Sequence, residues 1–324
     1  MMSDTKYANT MTCEGCNIAC QRFGKHRNGL QRFRCLQCGK TYTEDHTRTL
    51  DTMYISKERA SLALQLLLEG NSIRSIERVT KIDKNTIMRL LVIAGERCAA
   101  LLDSRMRNIR AEYIQADEIW TYVSKKDKHV RVDDPEEFGN QWVFVAMDPD
   151  TKLIPSFVVG KRTKETTYAF LVDLKERLVD ARFQLTTDGF HFYERAVEDT
   201  FGGSVDFAQL IKLFGDIGQH DSEARYSPPR IMEVISKIRD GRPDPEHICT
   251  SHVERQNLTM RMQMRRFTRL TNGFSKKLEN LKAACALHFA YYNFCRIHST
   301  IRVTPAMEAG LTDHVWELEE MLAA

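Results

Sequence analysis

One aspartate restricts this chain more than any other residue. Asp117 stands in Ile114-Gln115-Ala116-Asp117-Glu118-Ile119-Trp120, within an apolar and β-branched run from Glu112 to Val123 that reads as a central strand. A carboxylate inside such a strand is costly to bury unless it is paired or metal-bound. The acid pair Asp117-Glu118 is expected to be exposed. Alternation along a strand puts its two members on opposite faces, so Glu118 is left out of the candidate site.

The segments that follow extend the pattern. Gln141 to Ala146 and Lys152 to Val159 read as two strands joined by the turn Asp148-Pro149-Asp150. Helical periodicity runs from Glu165 to Val179, and Phe183-Gln184-Leu185-Thr186-Thr187 is a further strand ending at Asp188-Gly189. Three strands, a helix and a fourth strand, with aspartates on the first and fourth, is the order of an RNase H-like domain: an α/β fold with a mixed sheet flanked by helices. A fifth strand is expected at Val205 to Leu213, followed by an insertion, the two occupying about 203–250. A third acid, Glu254, lies in a helical stretch for which Ser251 is a candidate cap. Asn257 and Arg261 fall on the same helical face as Glu254.

The nine cysteines are odd in number, and five of them crowd into positions 13–38. This is metal-type usage in a reducing cytoplasm rather than a disulfide framework. Cys13 and Cys16 form one pair at two-residue spacing, Cys35 and Cys38 another, with 18 residues between the pairs. That is the spacing of a four-sulfur Zn²⁺ site, and a closed shell of thiolates makes the zinc structural. The alternative is a set of free, buried thiols. Cys20 is a fifth thiol that could replace one ligand. Between the knuckles, alternation at Gln31 to Arg34 and the dipeptide Asn28-Gly29 predict a hairpin. No acid occurs from Gln21 to Thr43, while Arg22, Lys25, Arg27, Arg32, Arg34 and Lys40 are basic and Phe23 and Phe33 are interleaved. Residues 1–50 therefore read as a zinc ribbon suited to phosphate contact.

Residues 51–112 read as a helical region and linker. Ser56 caps a helix through Leu62, Leu66 and Leu67 that ends at Gly70. Ser72 opens a short helix through Ile73, Ile76 and Val79, and Asp83 or Asn85 opens a longer one toward Leu101-Leu102. Short helix, tight turn and longer helix is helix-turn-helix order, with Lys81, Lys84 and Arg89 where groove contacts are made. An ordinary three-helix cluster is the plainer reading. Asp103 to Arg110 reads as a linker.

A net charge of +3 from 47 basic and 44 acidic residues gives no hint of a polyanionic partner. Its distribution does. Residues 1–112 carry +7, residues 113–250 carry −7 and residues 251–324 carry +3. The apolar run Trp142 to Met147 is far too short to span a bilayer, and the N-terminus has no apolar signal core. A cytoplasmic protein without a membrane partner is expected.

With these residues in place, the chain resembles the DDE transposases, most closely those of the insertion-sequence-one family of bacterial mobile elements. The resemblance covers almost the whole length. It rests on the cysteine pairs, on Asp117-Glu118-Ile119-Trp120, on Thr187-Asp188-Gly189 and on Val253-Glu254-Arg255-Gln256-Asn257. Tyr292-Asn293-Phe294, Arg296, His298 and Thr304-Pro305-Ala306 complete it. It implies a catalytic domain over 113–308 with Asp117, Asp188 and Glu254 as an acidic triad holding two Mg²⁺ (or Mn²⁺), and Arg261 gripping a phosphate near the scissile bond. The implied activity is binding of element ends, hydrolysis to free a 3′-hydroxyl and joining of that hydroxyl to target DNA. The implied partner is double-stranded DNA, both terminal inverted repeats and target, bound by a homodimer or larger assembly. Arg265, Arg266 and Arg269, with Asn257, would lie along its path. The interval of 66 residues from Asp188 to Glu254 is longer than is usual in such enzymes, which is why an insertion is expected. A captured, catalytically silent DNA-binding regulator is the alternative, and an RNA-cleaving enzyme on the same fold is a third reading. The tail, 309–324, has Val315, Leu318 and Met321 on one helical stripe, for packing back or for an interface.

Overall fold

The computed structural model describes residues 11–26, 29–44, 53, 55–215, 231–268 and 271–323. Arg27, Asn28, Arg269 and the Arg225 to Pro229 part of the expected insertion lie outside the described residues. Contacts divide the chain into two units at Leu62/Ala63.

The first unit holds a three-stranded antiparallel sheet in the order β1 (Gln21–Lys25), β2 (Gln31–Arg34), β3 (Thr41–Thr43). The expected hairpin is the pair β1–β2, with Arg22 opposite Phe33 and an irregularity between Arg22 and Lys25. Its core is small: Cys13, Cys20, Phe33 and Cys35 are buried, with Met11, Cys16 and Tyr42 against them. Phe33 is therefore core. Phe23 is exposed, but the guanidinium groups of Arg32 and Arg34 each lie 5.2 Å from its ring centre.

The boundary falls inside α1 (Lys57–Leu68), so α2 (Ile73–Thr80) and α3 (Lys84–Arg105) belong to the same unit as the large sheet. Ser72 caps α2, its Oγ accepting from Ser75 N at 3.1 Å, and Asp83 caps α3, its Oδ1 accepting from Asn85 N at 2.8 Å. Between the helices, Lys81 adopts a left-handed backbone with φ of 57°. Lys81, Lys84 and Arg89 are exposed, whereas Ile87, Leu90, Leu91 and Ala94 are buried. α3 is longer than expected and runs through Asp103 to Arg105. The rest of the expected linker is tied down, since Ile109 N donates to Arg177 O and Val179 N donates to Ile109 O, each at 2.9 Å.

Six strands form the large sheet: β4 (Tyr113–Val123), β5 (Gly139–Met147), β6 (Ser156–Gly160), β7 (Phe183–Thr187), β8 (Val205–Phe214) and β9 (Ile231–Asp240). Their spatial order is β6-β5-β4-β7-β8-β9, with the pairs β4–β7 and β7–β8 parallel and the other pairs antiparallel. This mixed sheet, flanked by helices, is consistent with an RNase H-like domain. The stretch from Lys152 to Pro155, expected as strand, is loop. Its Ile154 is held by Asn293, which accepts from Ile154 N at 3.0 Å and donates to Ile154 O at 2.9 Å.

α4 (Lys164–Arg177) and α5 (Phe192–Phe201) cover one face of the sheet. There Ile114, Ala116, Phe144, Leu185 and Phe207 meet Phe170, Leu174, Tyr193 and Val197 in one buried cluster. α6 (Ser251–Gln263) and α7 (Leu278–Phe294) lie on the other face, and α3 packs on α7. The tail packs back: after α8 (Pro305–Glu308), the Trp316 ring stands 4.8 Å from that of Phe294, and α9 (Leu318–Ala323) buries Leu318 and Met321. Val315 is left exposed. Among the described residues no helix is long and apolar enough to cross a membrane.

Candidate active site

Alternation along β4 sorts its side chains as expected, but neither member of the acid pair is exposed. Glu118 turns into the face covered by α5, where it accepts from Tyr193 Oη and from Arg162 at 2.9 Å, and it is only 8% exposed. Asp117 turns to the α6 face, where Asn257 Nδ2 donates to its Oδ2 at 2.8 Å. Gln115, on the same face, is 3% exposed, and its Oε1 accepts from His252 N at 3.0 Å and from Val253 N at 3.3 Å. These are free N–H groups of the first turn of α6. Ser251, expected as the cap, does not cap; a side chain from the sheet does.

Parallel pairing sets Asp188. Thr187, the last residue of β7, is in register with Ala116, so Asp188 follows at the level of Asp117. Its Oδ1 accepts from Phe190 N at 3.0 Å and its Oδ2 from Arg162 at 3.2 Å. Glu254, in the first turn of α6, accepts from Thr250 Oγ1 at 2.6 Å and forms an ion pair with Lys212 of β8. Asp117, Asp188 and Glu254 thus come from three elements to line one cavity of about 620 Å³, together with Arg162, His191 and Lys212.

Burial dominates the electrostatics. It pushes the Asp117 carboxyl up to about 7, reinforced by repulsion from Asp188, while the hydrogen bond from Asn257 acts the other way. Glu118 is pushed up to about 8 by burial and then by Asp188. Burial also raises Asp188, opposed by the Phe190 N–H and by Arg162. Arg162 is well placed for this, with its guanidinium 3.9 Å from the Phe190 ring centre and 4.8 Å from that of Trp142. Asp117 and Asp188, whose charge is disfavoured by desolvation, open with Glu254 on one cavity, and three such carboxylates are a fit donor set for a hard divalent cation. As they stand, Arg162 and Lys212 supply the compensating charge, and the three carboxylates are not gathered within 4.8 Å of one another as the zinc-type ligands are.

Arg261 is not in this cavity. It lines a separate one of about 340 Å³ beside Trp120 and Tyr122, and its Nη1 donates to Phe267 O at 3.4 Å. Arg266 donates to Ser275 Oγ at 2.8 Å and is half-buried, whereas Arg265 is exposed. Gln115, Arg162 and Lys212 were not predicted. Lys212 carries a legible signal, since it is a lone charge in the apolar run Phe207 to Phe214, just as Asp117 is in its own strand. Gln115 carries none, because its partners lie more than a hundred residues away.

In the first unit, the Sγ atoms of Cys13, Cys16, Cys35 and Cys38 all lie within 4.8 Å of one another. Tetrahedral Zn–S bonds of about 2.3 Å place sulfurs about 3.8 Å apart, so the cluster is compatible with a structural zinc ion. The Tyr42 hydroxyl, 3.1 Å from Cys13 Sγ, draws that thiol down to about 6, which favours the thiolate a metal needs. Hydrogen bonding to Cys38 and burial push Cys16 up to about 12. Cys20 is buried beside the four rather than among them. Arg22, Lys25 and Arg34 are exposed and Arg32 is half-buried.

No family model matches this chain, and no curated protein matches it. Among solved structures, a piggyBac transposase synaptic complex with hairpin DNA is similar over 86% of this chain and 71% of its own, at 8% identity and a TM-score of 0.40. The Mos1 strand transfer complex is similar over 51% of this chain and 60% of its own, at 15% identity and a TM-score of 0.22. A Mos1 mariner paired end complex with Mn is similar over 51% and 61%, at 14% identity and a TM-score of 0.22.

Proposed function

We propose that this chain is a DDE-type DNA transposase of a bacterial insertion sequence of the insertion-sequence-one kind. It binds element ends, cleaves a phosphodiester to free a 3′-hydroxyl and joins that hydroxyl to target DNA. One observation carries the reading: Asp117, Asp188 and Glu254, from β4, the end of β7 and α6, open on a single cavity. These three carboxylates would hold Mg²⁺ or Mn²⁺, and the metal pair would activate the attacking oxygen and stabilise the leaving one. The chain's own residues do the positioning. Asn257 orients Asp117, Gln115 fixes the helix that carries Glu254, and Arg162 orients Asp188 while balancing buried Glu118. Lys212 balances Glu254 until a cation or a phosphate takes its place.

The remaining roles follow the same reading. A zinc ribbon and a helix-turn-helix, with Arg22, Lys25, Arg32 and Arg34 on the former and Lys81, Lys84 and Arg89 on the latter, hold duplex DNA. A dimer or larger assembly brings two ends together in the cytoplasm. Arg261 belongs to the DNA path rather than to the carboxylate cavity.

The test is strand transfer of a labelled element end with Mg²⁺ or Mn²⁺, comparing wild type with Asp117→Asn. Joining by wild type alone is expected, and equal joining by both would reject the triad. The ion pairs that already neutralise Asp188 and Glu254 favour the second reading, a silent DNA-binding regulator. DNA binding with no joining by either protein would select it.

A further inference from the structure

A second cavity, of about 780 Å³, lies wholly within the larger unit and shares no residue with the carboxylate cavity. Leu68, Met88, Leu91 and Leu287 give it apolar walls. Arg74, Lys84, Arg265, Arg266 and Lys276 also line it, and no aspartate or glutamate does. The adjoining cavity of about 340 Å³ shares Arg266 and Phe274 with it, adds Trp120, Tyr122 and Lys126, and likewise has no acid in its lining.

Two side chains in the larger cavity lack what burial demands. Arg266 donates to Ser275 Oγ, but no carboxylate pairs with it among the described residues, and burial lowers its guanidinium to about 10. A desolvated guanidinium without a counter-charge is unfavourable unless an anion arrives. His288 is 3% exposed, and its Nε2 has no hydrogen-bond partner. Burial holds the ring neutral, so this nitrogen can accept or donate according to tautomer. Cations, aromatic walls and an unused ring nitrogen together match a phosphate ester that carries a planar apolar group.

We propose that the two cavities form a nucleotide-binding site, with the half-buried Arg266 as the counter-charge to a phosphate and His288 as a hydrogen-bond partner of the ligand. Five cations in the larger cavity exceed what one phosphate requires, so the nucleotide is one carried in a DNA strand, unpaired from its complement. This rests on DNA being the partner, but not on the carboxylate triad.

The experiment measures fluorescence anisotropy of the full chain, with zinc and without Mg²⁺ or Mn²⁺, so that joining plays no part. Labelled duplexes with a blunt end and with a short unpaired tail are compared, and a deoxynucleoside monophosphate is added as competitor. Tighter binding of the tailed duplex is expected. Arg266→Gln should weaken binding of the tailed duplex by about tenfold more than it weakens binding of the blunt one, as for a charged hydrogen bond to the unpaired nucleotide. Should Arg266→Gln fail to fold, Arg74→Gln/Lys276→Gln, both at exposed positions, should narrow the same difference. Arg266-dependent binding of the monophosphate with no advantage for the tail would keep the nucleotide site and make its source a free nucleotide. No tail advantage and no monophosphate binding, or a tail advantage that survives these variants, would overturn the proposal.

Discussion

Gln115 is the residue on which two catalytic candidates meet. It precedes Asp117 by two positions on the same face of β4, and it accepts the first free N–H groups of the helix that carries Glu254. Replacing it with leucine keeps the volume and removes the acceptor. The buried Val253 N–H and the part-buried His252 N–H are then left without this acceptor, at a cost of about 1–3 kcal/mol. Gln115→Leu should therefore lower the denaturation midpoint, and it should cut strand transfer by more than it weakens DNA binding, because Glu254 loses its reference to Asp117. A variant whose joining falls only in proportion to its folded fraction would make Gln115 a plain structural residue. Asp117 stands out in the sequence because it interrupts an apolar strand, and Asp188 because it closes one; Glu254 is an ordinary residue for a helix and joins them only through the family resemblance. Gln115 and Arg162 do not stand out, since neither breaks a pattern and their partners come from distant segments.

Among the elements, α3 serves two faces at once. Its first two turns leave Lys84 and Arg89 exposed, in keeping with the proposed groove contacts, while one stripe of the helix, from Ile87 through Leu91, Ala94 and Cys98 to Leu102, is buried. The sequence periodicity located the helix and its cap, but not its length or what covers it. Gly95 explains the close approach to α7. A Cβ there would stand 2.4 Å from Ala283 Cα, which is backbone and cannot swing away. Alanine is the better helix former by about 1 kcal/mol, but overpacking costs about 1–3 kcal/mol and opposes it. Backbone on backbone puts this contact at the upper end, so Gly95→Ala should destabilise by about 1–2 kcal/mol. Gly203, with nothing near its would-be Cβ, is the control, and Gly203→Ala should leave the urea midpoint almost unchanged. Equal midpoints for the two variants would show that α3 and α7 can part at little cost.

Across the whole molecule, a net charge of +3 conceals a −7 stretch between two positive ones, and the division between Leu62 and Ala63 separates two very different cores. The larger unit buries sixteen residues in one cluster on the α4/α5 face of its sheet alone. The smaller buries Cys13, Cys20, Phe33 and Cys35, of which two are proposed metal ligands. A core of that size cannot hold a fold by apolar burial, so on the proposed zinc reading the stability of this unit comes from metal–thiolate bonds. Removing zinc with a chelator, under reducing conditions, should therefore melt β1 to β3 while the cooperative thermal transition of the larger unit stays within a few degrees of its starting value. Near-ultraviolet signals from Tyr42 should be lost and those from Trp142 and Trp316, in the larger unit, should persist. Cys35→Ser should reproduce the chelated state at any zinc concentration. A single transition that shifts as one with added chelator would mean instead that the two units fold together, and that the division by contacts is not a division of stability.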